Sequence, residues 1–210
     1  MRFGGSAEVS VTHNITGSGA VVLGGVVAAG TADVVLKDLP SILMQAVVIP
    51  GEKNEEGRLI QAVALPWFDI INLIKNDPSI AFQIDSRKWE EIVAGAYHKA
   101  GFKVTLTPRS GDLGRDVIAE KAGWGCVRFI DQVKANKPGH LVTAEEVRAL
   151  GHVLQADQNA TKGIVTTTSD FAPRIVEDKF IKPFLPYRIE LVNGVRLLQH
   201  LVELAKSGTS

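Results

Sequence analysis

Three residues in the second half of the chain have the types and spacing needed for chemistry on a phosphate group: Asp116, Gln132 and Lys134. Asp116 ends the stretch S-G-D-L-G-R-D, and Gln132 follows sixteen residues later, two residues before Lys134. Phosphodiester hydrolysis uses a divalent metal that neutralises developing charge and lowers the pKa of the attacking water. Mg²⁺ prefers oxygen ligands and retains several waters, so the Asp116 carboxylate and the Gln132 carbonyl oxygen can hold it beside a phosphate. Lys134 can then stabilise the charged transition state or orient the water.

A predicted β-hairpin positions these residues. Residues 116–121 and 126–135 have the alternation of strands, and the turn between them is centred on Trp124. Side chains alternate faces along a strand, so Gln132 and Lys134 share one face. The hairpin therefore presents an amide and an ammonium group together.

The centre at Trp124 also predicts the register of the hairpin. It places Asp116 opposite Gln132, and Glu120 opposite Arg128, which pairs an anion with a cation. Asp131 is the exception, because this register sends it to the apolar face.

Spacing alone favours an ordinary cross-strand ion pair between Asp116 and Lys134 over an active site, because this pattern is common by chance. A second carboxylate is available from Glu90 if the preceding helix packs beside the hairpin. The surrounding elements therefore decide between the two interpretations.

The elements of the second half predict an α/β fold. Asp85 or Ser86 can cap a helix at 87–100, which Gly101 ends. The other predicted elements are strands at 102–107, 162–168 and 189–192 and helices at 143–156, 170–179 and 194–205. The order α-β-β-β-α-β-α-β-α indicates a mixed central β-sheet flanked by helices, at residues 82–210.

Residues 1–80 are predicted to form a separate, small β-rich region that ends in a helical segment. Short alternating stretches precede residue 37, and 41–50 has the pattern of a strand. Apolar residues at 59–74 have helical spacing, with Pro66 expected to kink or break the helix. The linker is expected near 76–84.

Composition is that of a globular protein with a net charge of zero. Residues 1–80 carry a charge of −3 and residues 81–210 a charge of +3, which is compatible with nucleic acid but only mildly basic. No run reaches the roughly 18 apolar residues of a membrane span, so no membrane partner is expected. The single cysteine, Cys126, cannot form an internal disulfide, which favours a reducing, cytoplasmic setting.

The ordered motifs of the second half resemble a known family. They are W-E in the first helix, A-G-F-K-V at its end, T-P-R-S-G-D-L-G-R-D-V-I-A-E, D-Q-V-K, L-G-H-V-L, G-I-V-T-T-T-S-D-F-A and I-E-L-V-N-G-V-R-L-L. Over about residues 82–204 the chain resembles the catalytic domain of Mrr-type restriction endonucleases, in the PD-(D/E)xK nuclease superfamily. The implied fold is restriction-endonuclease-like.

The resemblance implies a role for each matching residue. Glu90 matches the acidic residue of the helix, Asp116 the metal-binding aspartate, and Gln132 and Lys134 the (E/Q)xK pair. It implies Mg²⁺, with Mn²⁺ as the other candidate ion, and no organic cofactor. Asp116 and Gln132 would be the metal ligands.

The implied activity is cleavage of DNA, in prokaryotic or phage defence and often against modified DNA. Asp112 and Gly114 match the loop before the metal aspartate, where they would lie near DNA. Cutting both strands with one active site per chain favours a homodimer.

Thr168 and Ser169 are further candidates for contact with DNA phosphate, through hydroxyls and amides at a helix start. A capped strand end explains them equally well. Two other functions stay open: a catalytically silent DNA-binding or assembly module with this fold, and a nuclease acting on junctions or single-stranded ends.

Overall fold

The computed structural model describes residues 39–109 and 114–207, together with the backbone of two short strands, β1 (Val21–Leu23) and β2 (Val26–Ala28). The chain divides into two compact units, residues 1–41 and 42–210. In the first unit, β1 and β2 pair antiparallel. The candidate residues of the sequence analysis lie in the second unit, and of these Asp112 falls outside the described residues.

The rest of the described chain contains both helices and strands, in mixed order. The remaining elements are α1 (Leu39–Met44), β3 (Val48–Lys53), β4 (Arg58–Val63), α2 (Leu65–Asn76), α3 (Ser86–Lys99), β5 (Lys103–Leu106), β6 (Val117–Ala122), β7 (Cys126–Lys134), α4 (Ala144–Ala156), β8 (Lys162–Thr167), β9 (Ile189–Val192) and α5 (Gly194–Lys206). Single 3-10 helices cover Pro78–Gln83, Ile175–Glu177 and Lys182–Phe184. Among the described helices none is long and apolar enough to cross a bilayer.

One seven-stranded mixed sheet organises this unit, with its strands in chain order from β3 to β9. Neighbours from β3 to β7 are antiparallel, whereas β7, β8 and β9 are parallel. Helix α4 makes the crossover that a parallel β7–β8 pair requires. The predicted mixed α/β fold flanked by helices is confirmed.

The predicted hairpin register is also confirmed. Ile118 pairs with Ile130 and Glu120 with Arg128, so the turn is centred on Trp124. The predicted ion pair forms, with Arg128 Nη1 2.7 Å from Glu120 Oε1.

The mixed sheet was predicted within residues 82–210, but it also includes two strands that precede residue 80. Strands β3 and β4, at 48–63, join the same sheet as the hairpin, and residues 42–80 belong to the second compact unit. The predicted helix at 59–74 is instead strand β4 followed by helix α2. Pro66 lies in the first turn of α2, where its missing N–H costs nothing, so it marks a start rather than a kink.

Two other elements also differ from expectation. The predicted strand at 41–50 is helix α1 followed by the beginning of β3. The predicted helix at 170–179 does not form, because Asp170 and Ala172 make backbone hydrogen bonds with Val142 instead. Arg174 then adopts a left-handed conformation (φ 65°), which interrupts any helix there.

Helix α4 packs one face of the sheet and closes the apolar core behind the hairpin. Leu150 and Leu154 of α4 meet Ile118 and Ile130 in one buried cluster. Gly163 of β8 allows this close approach, since a Cβ there would lie 2.9 Å from methyl carbons of both leucines. Tight packing at this point sets α4 against the strands that carry the candidate site.

Candidate active site

The hairpin brings the candidate residues to one edge of the sheet. Asp116 comes directly before β6, while Gln132 and Lys134 lie among the last residues of β7, at the end away from the hairpin turn. Because the two strands are antiparallel, with Val117 paired to Asp131, the start of β6 lies beside the end of β7. An acid, an amide and an amine therefore share this edge.

Backbone contacts hold Asp116 in place from both sides. Its amide donates to the carbonyl of Asp131 (3.1 Å), and its own carbonyl accepts from the amide of Thr107 (3.1 Å). The Val133 amide donates to Asp116 Oδ2 at 2.7 Å. A carboxylate fixed in this way has its orientation set before any ligand binds.

Gln132 carries the most informative polar atom of the site. Its Oε1 is buried and has no hydrogen-bond partner among the described residues. Gly114, in a left-handed conformation (φ 76°), packs against this side chain, and a Cβ there would lie 3.6 Å from Gln132 Nε2 and 3.3 Å from Val153 Cγ2. A buried acceptor without a donor costs about 1–3 kcal/mol, so this oxygen is suited to a cation.

Lys134 extends from the same end of β7 towards the first turn of α4. Its Nζ lies 3.9 Å from Glu146 Oε1, and its side chain is partly exposed. The other carboxylate oxygen of Glu146 accepts from the amide and hydroxyl of Thr143, which forms the helix capping box. Glu146 is thus engaged by the cap, and its contact with Lys134 is long for an ion pair.

Glu90 is connected to this edge through two other residues. Its Oε2 lies 2.6 Å from Arg87 Nη1, which also donates to the carbonyl of Thr107 at 2.9 Å. Thr107 in turn holds Asp116 through its amide and hydroxyl. Within the described contacts, Glu90 therefore reaches Asp116 only by way of Arg87 and Thr107.

Thr107 and Arg115 are site residues that the sequence analysis missed. Thr107 is buried, and its hydroxyl donates to the Arg115 carbonyl. The Arg115 guanidinium lies 3.3 Å from Glu56 and 3.6 Å from Asp157. The position of Arg115 directly before Asp116 was a visible signal, but its partners come from distant parts of the chain.

Asp131, the exception in the predicted register, is buried on the other face of the sheet. Its Oδ2 accepts from the Tyr97 hydroxyl (2.8 Å) and the Thr166 hydroxyl (2.9 Å), while its Oδ1 has no partner among the described residues. Burial raises the pKa of Asp131 to about 7, and the nearby Asp116 charge adds to this effect, while the two hydroxyl hydrogen bonds oppose it. Asp131 thus holds a proton in the folded state at pH values where it is ionised in the unfolded chain.

This raised pKa predicts a stability that falls as pH rises from about 4 to about 7, because the folded state binds the extra proton there. The contribution is on the order of 1 kcal/mol for each pH unit of the interval. Asp131→Asn removes it, so the free energy of unfolding of the variant relative to wild type increases with pH. Urea unfolding in metal-free buffer across this range measures the difference, and parallel curves for the two proteins would contradict the prediction.

Thr168 and Ser169 lie at the end of β8, beside the end of β7. The Thr168 hydroxyl donates to the Asn136 carbonyl at 2.7 Å, and the Ser169 amide donates to the Thr167 hydroxyl at 3.2 Å. The first hydrogen bond joins the two strand ends, and the second is local to the end of β8. Their proposed contact with DNA would have to come from the Ser169 hydroxyl or from a rearranged Thr168.

The donor set of the site fits a hard divalent cation with few protein ligands. In the described part of the chain no group of three or more His, Cys, Asp or Glu side chains could hold a metal ion. The pair of Asp116 and the unpartnered Gln132 Oε1 supplies two oxygens, and Mg²⁺ can complete its coordination with water and phosphate oxygens.

The central hairpin of this mixed sheet, with an acid, an amide and a lysine at its strand ends, lies within the span that matches a restriction endonuclease family. A model of the Mrr_cat restriction endonuclease family matches residues 82–201. The match covers more than half of the chain, and the protein belongs to this family.

Three solved structures that are similar to this chain are also restriction endonucleases. MspJI in complex with a 27-mer oligonucleotide is 19% identical with a TM-score of 0.39, and the match covers 71% of this chain and 37% of MspJI. The DNA modification-dependent restriction endonuclease AspBHI is 16% identical with a TM-score of 0.41, and the match covers 79% of this chain and 40% of AspBHI. FokI is 16% identical with a TM-score of 0.44, and the match covers 70% of this chain and 29% of FokI. The chain thus spans well under half the length of each. No curated protein matches the sequence.

Proposed function

We propose that this protein is a metal-dependent endodeoxyribonuclease of the PD-(D/E)xK type, with Gln132 and Lys134 as a QxK pair. Membership of the restriction endonuclease family supports a nuclease that acts on DNA. The observation that carries the metal-dependent reaction is the buried Gln132 Oε1, which has no partner among the described residues, at the edge of the sheet that also holds Asp116 and Lys134. We propose Mg²⁺ as the ion, with Mn²⁺ as a substitute.

Each residue has a role in this proposal. Asp116 and Gln132 would hold the ion, which when bound would neutralise negative charge on the phosphate and lower the pKa of the attacking water. Lys134 donates hydrogen bonds to the attacking water or to the negative charge that develops on the phosphate. Glu90 holds Arg87 against Thr107 and so supports the position of Asp116.

The biological role we propose is restriction or defence against foreign or modified DNA in the cytoplasm. Membership of the restriction endonuclease family supports this role. A homodimer would supply two sites for cutting both strands.

Incubation of the protein with supercoiled plasmid tests this function. We expect open-circular and linear products with Mg²⁺ or Mn²⁺ and none with EDTA. Methylated, unmethylated, branched and single-stranded substrates distinguish restriction of duplex DNA from processing of junctions or ends. If every DNA form stays intact with both metals although the protein binds DNA, the chain is a catalytically silent module and the proposal is wrong.

A further inference from the structure

A positively charged groove lies beside the candidate site, between the β3–β4 hairpin and helix α3. Its volume is about 590 Å³. Four cationic side chains and one carboxylate line it: Lys53, Arg58, Arg87, Lys88 and Glu91. The other lining residues are uncharged, so cations predominate among the charged groups of the groove, which favours an anionic partner.

Two of these cations have no ion-pair partner within the described residues, although the same hairpin also carries the exposed carboxylates Glu52 and Glu55. Arg87 pairs with Glu90, and Lys88 Nζ lies 3.1 Å from Glu91. Lys53 and Arg58 are exposed, and neither forms an ion pair within the described residues. They face each other as a cross-strand pair at the turn end of the β3–β4 hairpin. Two like charges side by side repel each other, so a bound anion would stabilise this end of the hairpin.

The sheet places this pair at the catalytic edge. Arg58 is in register with Leu106 of β5, and Leu106 is in register with Val117, the residue after Asp116. Adjacent strands lie about 4.8 Å apart, so Arg58 stands roughly 10 Å from the metal-binding end of β6. DNA rises about 3.4 Å per nucleotide along one strand, so this distance corresponds to about three nucleotides.

We propose that this groove binds the DNA backbone on one side of the cleavage position, through contacts of Lys53 and Arg58 with phosphates about three nucleotides away. The inference rests on the proposed function, because it takes the edge at Asp116 as the place of cleavage. Both residues lie outside the span matched by the family model, so the contact is inferred from the sheet and not from the family. Cations at the end of an exposed hairpin recognise phosphate charge rather than base identity.

The experiment measures the salt dependence of duplex DNA binding by the full chain in EDTA, where binding proceeds without cleavage. Between about 50 and 200 mM salt, the double variant Lys53→Ala/Arg58→Ala should reduce the slope of log K against log salt by about two. Its affinity at low salt should fall by at least about tenfold, equally for unrelated sequences.

Lys103→Ala is the matched control. Lys103 is also exposed and has no ion pair within the described residues, but it lies at the opposite end of β5, in register with Glu120. Its slope and affinity should equal those of wild type. Thermal unfolding of both variants verifies that each retains the fold.

The outcomes separate this inference from the proposed function. If wild type binds DNA and the double variant has the slope of Lys103→Ala, the groove does not contact the backbone, and the nuclease proposal is unaffected. If wild type does not bind duplex DNA at any salt concentration, both proposals are overturned. If the slope falls by about two for the double variant and stays that of wild type for Lys103→Ala, the groove contacts the DNA backbone.

Discussion

Asp116→Asn should abolish metal-dependent DNA cleavage, with a loss of about 10³-fold or more in the single-turnover rate. The substitution removes the anionic ligand and keeps the shape of the side chain. An amide oxygen at this position can still accept from the Val133 amide, so the fold and DNA binding should persist. The rate with saturating enzyme and Mg²⁺, compared with wild type, measures the effect.

The matched control for this prediction is Asp178→Asn. Asp178 forms an ion pair with Arg148 of α4 at 2.8 Å and should be dispensable for cleavage. Equal cleavage rates for wild type and Asp116→Asn would show that Asp116 is not an active-site residue.

Lys134→Met should reduce the cleavage rate by about 10²–10³-fold, which is the usual cost of removing one donor that stabilises developing charge. Methionine keeps an apolar stem of similar length, and the backbone carbonyl of residue 134 still accepts from the Thr168 amide. Metal affinity should change little, because an ammonium group is not a ligand. Single-turnover rates over a range of Mg²⁺ concentrations separate the two parameters.

Lys162→Met serves as the control for Lys134→Met, since Lys162 lies on the neighbouring strand and pairs with Glu190 at 2.9 Å.

Glu146→Gln is informative as well. If the 3.9 Å contact between Glu146 and Lys134 does not position Lys134, this variant should cleave DNA at nearly the wild-type rate. A Lys134→Met protein as active as the Lys162→Met control would show that Lys134 has no role in the chemistry.

The sequence predicted the central hairpin well because its signals are local. Alternation along two strands around Trp124 fixes which residues face each other, and the observed pairs Ile118–Ile130 and Glu120–Arg128 follow from that one centre. The helix after Asp85 was equally clear, since its cap and the glycine at its end are encoded in adjacent residues.

The parts that were not predicted depend on contacts between distant residues. Strand β4 has apolar residues that also fit a helix, and its pairing with β5 selects the strand. The helix expected after Asp170 does not form because this segment makes backbone hydrogen bonds with Val142, almost thirty residues earlier. Asp131 looked misplaced because its partners, Tyr97 and Thr166, come from α3 and β8.

The candidate site shows the same division. The hairpin register predicted that Asp116, Gln132 and Lys134 lie at the same edge of the sheet. The support for Asp116 was not, because Thr107 and Arg87 reach it through backbone carbonyls and amides that carry no residue signature. The position of Glu90, held by Arg87, likewise depends on how α3 packs against the sheet.

The most direct test of the central claim is the Mg²⁺ dependence of single-turnover cleavage by wild type, Gln132→Glu and Gln132→Leu. If Gln132 Oε1 is a metal ligand, the added carboxylate in Gln132→Glu should keep cleavage and lower the half-saturating Mg²⁺ concentration roughly tenfold. Gln132→Leu, which removes the oxygen from a buried position, should raise that concentration or abolish cleavage. The same half-saturating concentration in all three proteins would contradict the proposal that Asp116 and Gln132 together hold the catalytic metal.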